Sequence, residues 1–108
     1  MLTIKALPGK RQEVFDILRT IQEALSLKQD CLACEIYETY GEEDSILYIE
    51  NWRNGISLNR HIQSDLYRRV LAVMELAAEP PTVSFRESHR VRGMELIMKL
   101  REEPGREI

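Results

Sequence analysis

Two ring-bearing side chains stand nine positions apart in this chain and have the chemistry to share a pocket. Trp52 lies near the end of a segment rich in strand-forming residues. His61 follows a turn at Asn54-Gly55, in a segment with helical spacing. Imidazole exchanges protons near neutral pH, and an indole provides a flat apolar wall. The pattern therefore predicts a small-molecule cleft between a sheet and a helix, with His61 as the base.

Neighbouring polar and aromatic residues are candidates to complete this cleft. Side chains alternate along a strand, so Glu50 shares a face with Trp52 and Tyr48, whereas Asn51 faces away. Glu50 would orient His61 or hold a substrate hydroxyl. The candidate catalytic residues are His61, Glu50 and Tyr67, and the candidate substrate-binding residues are Trp52, Tyr37, Tyr48 and Arg86.

Each main candidate also has a purely structural interpretation. His61 can be a half-buried histidine bonded to a backbone carbonyl, and Trp52 can fill the core at a sheet edge. Glu50 can form a cross-strand ion pair with an arginine. Arg86 can be an exposed strand residue, and Tyr37 can serve in packing. The sequence leaves these alternatives open.

Size and charge exclude several classes of protein. A chain of 108 residues forms a single hydrophobic core, and its net charge of −3 does not favour nucleic acid or anionic lipid. No apolar run approaches the length of about 20 residues that a membrane span requires. We therefore expect a cytoplasmic protein with no membrane or nucleic-acid partner. No spacing of His, Cys, Asp and Glu favours a metal site.

Cys31 and Cys34 form a lone C-x-x-C in a segment that reads as a strand. Residues three apart on a regular strand point to opposite faces. We therefore expect two buried, reduced thiols that act as small apolar residues, with redox or metal chemistry as the alternative.

Hydrophobic periodicity predicts the elements that position these residues. Four segments have strand character and three have helical spacing, the second helix interrupted near Ser64-Asp65. The predicted strands are Leu2 to Leu7, Cys31 to Tyr40, Ser45 to Arg53 and Thr82 to Val91. The predicted helices are Lys10 to Lys28, the segment from Asn54-Gly55 to Glu79-Pro80, and Met94 to Glu102.

The order βαββαβ predicts an α+β ferredoxin-like fold, a four-stranded antiparallel sheet with both helices on one face. Residues 1–93 form this domain, and residues 94–108 form a short C-terminal helix and tail. The second and third strands carry apolar residues on both sides, so a second copy is expected on the open face. The C-terminal helix is expected to pack on that partner subunit.

The chain resembles the antibiotic biosynthesis monooxygenase family in four short motifs and their order. These are Pro8-Gly9-Lys10 before a helix, Cys31-Leu-Ala-Cys-Glu-Ile-Tyr, Ile49-Glu-Asn-Trp52, and His61 with the residues up to Tyr67. The likeness runs from about Leu2 to Phe85. It implies a homodimeric α+β barrel with a pocket between sheet and helices in each subunit.

Family members differ in chemistry, so the resemblance implies a scaffold more firmly than a reaction. The leading expectation is oxidation of a quinol or related small aromatic by dioxygen, with no cofactor. The alternatives are a small-molecule isomerase with a histidine base and a non-enzymatic dimeric ligand-binding protein. Haem degradation is disfavoured, because the positions that would carry its asparagine, tryptophan and histidine ligand hold Leu2, His61 and Val70.

Overall fold

The computed structural model describes residues 1–42, 44–87 and 90–102, and for residues 86–87 and 90–92 the backbone alone. The strands are β1 (Leu2–Lys5), β2 (Cys31–Glu38), β3 (Ser45–Trp52), β4 (Thr82–Val83), β5 (Phe85–Glu87) and β6 (Arg90–Arg92). The helices are α1 (Arg11–Leu25), α2 (Gly55–Gln63), α3 (Tyr67–Met74) and α4 (Met94–Glu102).

Four of the strands form one antiparallel sheet in the order β2-β3-β1-β4. The central strand β1 pairs with β3 through Leu2 opposite Tyr48 and Ile4 opposite Ile46. The neighbouring β2 and β3 form the hairpin that their β-branched and aromatic residues predict. This order, with helices between the strands, confirms the ferredoxin-like α+β fold.

The last predicted strand is shorter than its sequence pattern indicates. β4 contains only Thr82 and Val83, which pair with Thr3 and Leu2. β1 offers no neighbour to the chain after Ser84, so β5 pairs with β6 in a separate hairpin instead. The prediction of one continuous strand from Thr82 to Val91 was therefore wrong. His89 lies outside the described residues.

The second helical region breaks where the sequence predicts. α2 ends at Gln63 and α3 begins at Tyr67, because Ser64 adopts an extended backbone with φ −79° and ψ 162°. The Ser64-Asp65 pair is typical of an internal helix cap, but no side chain caps the start of α3. Instead of capping α3, the Ser64 hydroxyl donates back to the carbonyl oxygen of His61 at 2.7 Å. The break turns α3 relative to α2, so that Tyr67 is buried beside His61.

The core lies between the sheet and the helices. Its fully buried members are mostly aliphatic side chains from β1, β3, α1 and α3, together with Ile62 of α2 and Leu96 of α4. α1 follows a regular helical spacing in which Val14, Leu18, Ile21 and Leu25 are all fully buried. This spacing is the reason that the segment forms a helix and packs against the sheet.

The C-terminal helix α4 packs against α2 of its own chain, and its packing on a partner subunit stays a prediction. The side-chain amide of Gln63 donates to the carbonyl oxygen of Leu100 at 3.2 Å. Arg101 Nη1 donates to the carbonyl oxygens of Ile62 at 2.8 Å and Ser64 at 3.2 Å. These carbonyls belong to the end of α2, where backbone acceptors lack helical partners. α4 therefore fixes the end of the helix that carries His61.

A register shift in β2 places both cysteines on the helix-covered face of the sheet. Cys31 pairs with Trp52 and Cys34 with Glu50, and an irregularity lies between Cys31 and Ala33. The extra residue of a bulge resets the alternation, so the prediction of opposite faces was wrong. Both thiols are free, and burial raises the pKa of Cys34 to about 11. Each remains protonated near neutral pH, in the manner of a small apolar residue.

Among the described residues, no helix covers the opposite face of the sheet. Leu47 and Ile49 are half-buried there, and Tyr37 has 44% of its surface exposed. Within the described part of the chain, no helix is long and apolar enough to span a membrane.

Candidate functional site

The carboxylate of Glu50 is the centre of a hydrogen-bonded cluster at the end of β3. Tyr48 and Trp52 flank it on the same face of the strand. The Tyr48 hydroxyl donates to Oε2, and the indole Nε1 of Trp52 donates to Oε1 at 3.0 Å. His61 Nε2 approaches both oxygens, at 3.0 Å from Oε1 and 3.1 Å from Oε2. Three side chains thus hold one carboxylate in a fixed orientation.

These contacts set the charge of Glu50. Burial would raise the pKa of the carboxyl group, but the hydrogen bond and charge of His61, with the bonds from Tyr48 and Trp52, hold the pKa below its ordinary value. Glu50 is therefore a carboxylate near neutral pH. Because a carboxylate only accepts, the hydrogen in the contact with His61 lies on Nε2. Burial and the nearby negative charge raise the pKa of Tyr48 far above its ordinary range, so Tyr48 is the donor.

His61 lies behind Trp52 and does not line the cleft. Its imidazole stacks on the indole with the ring centroids 4.7 Å apart and the planes at 29°. Tyr67 meets the other side edge-on at 5.1 Å, and only 4% of the His61 surface is exposed. Its interpretation as a histidine bonded only to backbone does not describe this site, since Nε2 bonds to Glu50. The two rings lie in contact, and of the two only Trp52 lines the predicted cleft.

Local interactions at the start of α2 position His61. The Asn54 side chain accepts a hydrogen bond from the backbone N–H of Ser57 at 2.9 Å, which caps the helix. The Ser57 hydroxyl donates to Asp30 at 2.5 Å. Asp30 precedes β2, so this bond ties the helix start to the sheet. With Arg101 at the other end, both ends of α2 are fixed, and His61 in its last turn is held with them.

A cleft of about 960 Å³ opens in front of this cluster. Glu50, Trp52, Tyr48 and Tyr67 contribute to its wall, and β3, α2, α3 and the β4–β5 segment surround it. Its remaining lining is largely apolar, including Leu2, Leu58, Val70, Met74, Val83 and Phe85. This volume lies within the range for small-molecule sites, which combine apolar walls with a few polar groups. The arrangement suits an aromatic ligand with a hydroxyl group directed at Glu50.

The structure brings together most, but not all, of the predicted site residues. Glu50, Trp52, Tyr48 and Tyr67 meet at the cleft, and His61 supports them from behind. Tyr37 does not take part: it pairs with Leu47 on the face without helices, and its hydroxyl donates to Glu35 at 2.5 Å. Neighbouring side chains on a strand alternate, so Tyr37 and Tyr48 lie on opposite faces. The side chain of Arg86 lies outside the described part of the structure.

Sequence reasoning missed several lining residues. Val70 and Met74 stand three and seven positions after Tyr67, a spacing that places all three on one face of α3. This helical spacing could have identified Val70 and Met74 as lining residues from the sequence. Asn59 also lines the cleft, and no pattern distinguished it from other polar residues of α2. Among the described residues, no group of three or more His, Cys, Asp or Glu side chains is arranged to hold a metal ion.

Comparisons with known proteins agree with this architecture. A family model described as antibiotic biosynthesis monooxygenase matches residues 1–73. An uncharacterized protein, sll1783 of Synechocystis, is 28% identical over 81 residues, covering 74% of this chain and 55% of that protein. The chain thus spans about half the length of the curated relative that it matches.

Solved structures show the same fold. A protein of unknown function from Bacteroides thetaiotaomicron VPI-5482, described as a possible oxidoreductase, is 15% identical, with a TM-score of 0.68 over 86% of this chain and 92% of that one. A crystal structure of an antibiotic biosynthesis monooxygenase is 17% identical, with a TM-score of 0.67 over 86% of this chain and 90% of that one. At these identities the likeness establishes the fold alone.

Proposed function

The chain belongs to the antibiotic biosynthesis monooxygenase family, and we propose that it oxidises a quinol or related small aromatic compound with dioxygen and without a cofactor. The observation that carries this proposal is the ionised carboxylate of Glu50 in the wall of an aromatic cleft. The relatives named monooxygenase or possible oxidoreductase support the class of reaction. They do not identify the substrate.

Glu50 is the group that receives the proton of the substrate hydroxyl. Its three internal donors make it a weak base, and a phenol in its ground state would not transfer a proton to it completely. A phenol that has given an electron to dioxygen is a far stronger acid than the parent phenol. Proton transfer to Glu50 therefore accompanies electron transfer, and the carboxylate needs only to be correctly placed.

His61 acts through Glu50 in this proposal and is a positioning residue. Its Nε2–H holds the carboxylate in the orientation that faces the cleft, and a positive charge on the ring would favour the ionised carboxylate. The sequence suggested His61 as the base itself. Since the ring is buried behind Trp52, Glu50 is better placed to contact a ligand.

The proposed reaction balances without another reactant. A phenol with a free para C–H and one molecule of dioxygen give a para-quinone and one molecule of water. One oxygen atom enters the ring, and the other leaves in water with the hydrogens from the O–H and the C–H. All four electrons come from the substrate. The apolar walls provided by Leu58, Val70 and Phe85 limit water near the radical pair.

Oxygen consumption with isotope labelling tests this proposal. Purified protein would be supplied with ¹⁸O₂ and a panel of phenols and quinols, in the presence of a chelator. We expect oxygen uptake above the uncatalysed rate and one labelled oxygen atom in the quinone. No uptake with any compound would overturn the proposal, and so would oxygen returned as hydrogen peroxide, which indicates an oxidase. Turnover without oxygen consumption would favour isomerisation instead.

We also propose that two copies pack through the sheet face that lacks helices. Leu47 and Ile49 lie half-buried on that face and Tyr37 is exposed, a mixture suited to an interface core with a polar rim. Light scattering should give a molar mass of twice the 12.6 kDa of one chain. Leu47→Glu should reduce the molar mass to that of one chain. A single-chain mass for the unmodified protein at micromolar concentration would contradict the proposal.

A further inference from the structure

The backbone that carries His61 is held by hydrogen bonds to its carbonyl groups. These carbonyls lie at the end of α2, where a helix leaves its last acceptors without helical partners. The His61 carbonyl accepts from the backbone N–H of Ser64 at 3.0 Å and from the Ser64 hydroxyl at 2.7 Å. The carbonyls of Ile62 and Ser64 accept from Arg101 Nη1, at 2.8 Å and 3.2 Å. The segment from His61 to Ser64 is therefore fixed in part by the C-terminal helix.

The helix α4 is itself anchored, so Arg101 has a defined position. The buried face of α4 consists of Leu96, Ile97 and Leu100. At its start, the backbone of Gly93 lies so close to β4 that a Cβ atom on this residue would be 3.1 Å from the carbonyl oxygen of Val83. Val83 lines the cleft, and so do residues of α2. α4 thus connects two elements that surround the cleft.

A displacement of the His61 backbone would act directly on the carboxylate of Glu50. His61 Nε2 is 3.0 Å from Oε1 and 3.1 Å from Oε2. A movement of about 0.6 Å away from Glu50 would lengthen both contacts beyond the range of a hydrogen bond. Burial raises the pKa of Glu50, and the bond and charge of His61 are the largest of the effects that lower it. The position of His61 therefore influences both the orientation and the charge of Glu50.

We propose that Arg101 is a positioning residue for the reaction at Glu50 and that it acts through His61. Arg101 does not line the cleft, so its effect passes through the end of α2. The helix α4 follows residues 1–73, which the family model matches, so the family likeness does not imply this role. The inference rests on the proposed function for its effect on turnover.

The charge of Arg101 also lies near the cluster. Burial and the charge of Glu50 raise the pKa of Tyr67, and the positive charge of Arg101 opposes this rise. Tyr67 in turn contacts the His61 ring edge-on, with the ring centroids 5.1 Å apart. A substitution of Arg101 must therefore be compared with the loss of a charge elsewhere on the same helix.

The indole of Trp52 provides a readout that requires no substrate. The chain contains one tryptophan, whose N–H donates to Glu50 at 3.0 Å, so its indole gives a single ¹H–¹⁵N signal. We expect Arg101→Gln to shift this signal and to speed exchange of its proton about tenfold, the effect of one weakened hydrogen bond. Arg101→Lys keeps the charge but shortens the side chain, so it should fold and give a smaller shift. An unshifted signal in either variant would overturn the inference.

Lys99→Gln is the matched control for the charge. Lys99 is an exposed residue of α4, two positions before Arg101. Its substitution removes the same charge from the same helix and should leave the indole signal in place. An equal shift in Lys99→Gln and Arg101→Gln would attribute the change to net charge and would overturn the inference.

Oxygen uptake tests whether Arg101 acts through His61. We expect Arg101→Gln to slow turnover by about 10–100-fold, the effect of a small misplacement of a reacting group, and Arg101→Lys to recover part of the rate. In a His61→Gln background, Arg101→Gln should have no further effect, because the residue that transmits it has been replaced. Equal slowing in the two backgrounds would indicate a general structural effect and would overturn the inference.

The two proposals fail in different ways. The indole signal depends neither on oxygen chemistry nor on a substrate. A shifted signal in Arg101→Gln, with no oxygen uptake by the unmodified protein for any phenol, would overturn the proposed function and leave the positioning of His61 intact. Oxygen uptake that Arg101→Gln leaves unchanged would overturn the role of Arg101 alone.

Discussion

The helices α1 and α2 cover the same sheet but bury different chemistry. α1 buries only aliphatic side chains, with Val14, Leu18, Ile21 and Leu25 fully inaccessible. α2 buries Ser57, His61 and Ile62, and the first two of these bond to acidic residues of the sheet side. A buried polar group requires a partner, whereas a buried leucine requires only close packing. The difference indicates that α1 contributes stability and that α2 serves the cleft.

The largest expected effect is on turnover at the α2 side. Glu50→Gln keeps the shape of the side chain but removes the negative charge that receives the substrate proton. Loss of such a group typically slows a reaction by about 10²–10⁴-fold. We expect this fall in the rate of oxygen uptake, with the protein still folded by circular dichroism.

Glu23→Gln is the matched control for that change. Glu23 is an exposed residue of α1 that does not line the cleft. Its substitution should leave turnover within a factor of two or so, an ordinary result for a surface change. Equal losses for the two variants would contradict the role assigned to Glu50.

A substitution in α1 is expected to lower stability and to leave turnover unchanged. Leu18→Ala should lower the free energy of unfolding by about 2–5 kcal/mol, because it removes a fully buried side chain and leaves a cavity. Urea denaturation measures this change. Turnover per folded molecule should be unchanged, since Leu18 does not line the cleft. The exposed neighbour Arg19 provides the control, and a comparable loss in Arg19→Ala would show that burial is not the cause.

The pH dependence of the unfolding free energy is expected to depend on Glu50, the partner of His61 on α2. The folded pKa of Glu50 lies below the unfolded value of about 4.3. Its contribution to stability is therefore complete above that value and is lost as pH falls through the folded pKa. Between pH 6 and pH 3, measured by urea unfolding, the wild type should lose more stability than Glu50→Gln. Parallel curves for the two proteins would contradict a lowered pKa.

The smallest expected effect concerns the start of α2. Asn54→Ala removes the acceptor that caps the helix and should cost about 1 kcal/mol of unfolding free energy. Asn54→Asp retains an acceptor oxygen and should cost much less. If both variants lose the same free energy, the cap does not stabilise α2.

The sequence predicted the features that depend on periodicity. The aliphatic spacing of α1, the β2–β3 hairpin and the break after Gln63 follow from local patterns, and so does the shared face of Tyr48, Glu50 and Trp52. Each of these requires only the repeat of a helix or a strand.

The features that the sequence did not predict depend on contacts between distant segments. The bulge between Cys31 and Ala33 has no signature in the residues themselves, yet it moves a side chain to the other face. The length of β4 is limited by where β1 begins, not by the β-propensity of the residues after Val83. Likewise, the stacking of His61 on Trp52 depends on the packing of α2 across the sheet. The local propensity of a residue does not specify its contacts with segments that are distant in the sequence.

Trp52 is the sole tryptophan of the 108 residues, and its indole is both stacked on His61 and bonded to Glu50. Intrinsic fluorescence of the unlabelled protein is therefore a spectroscopic signal from this one location. An aromatic molecule in contact with the indole ring alters the intensity or wavelength of its emission. Titration of a candidate compound while recording this emission therefore measures binding next to Glu50 without any label.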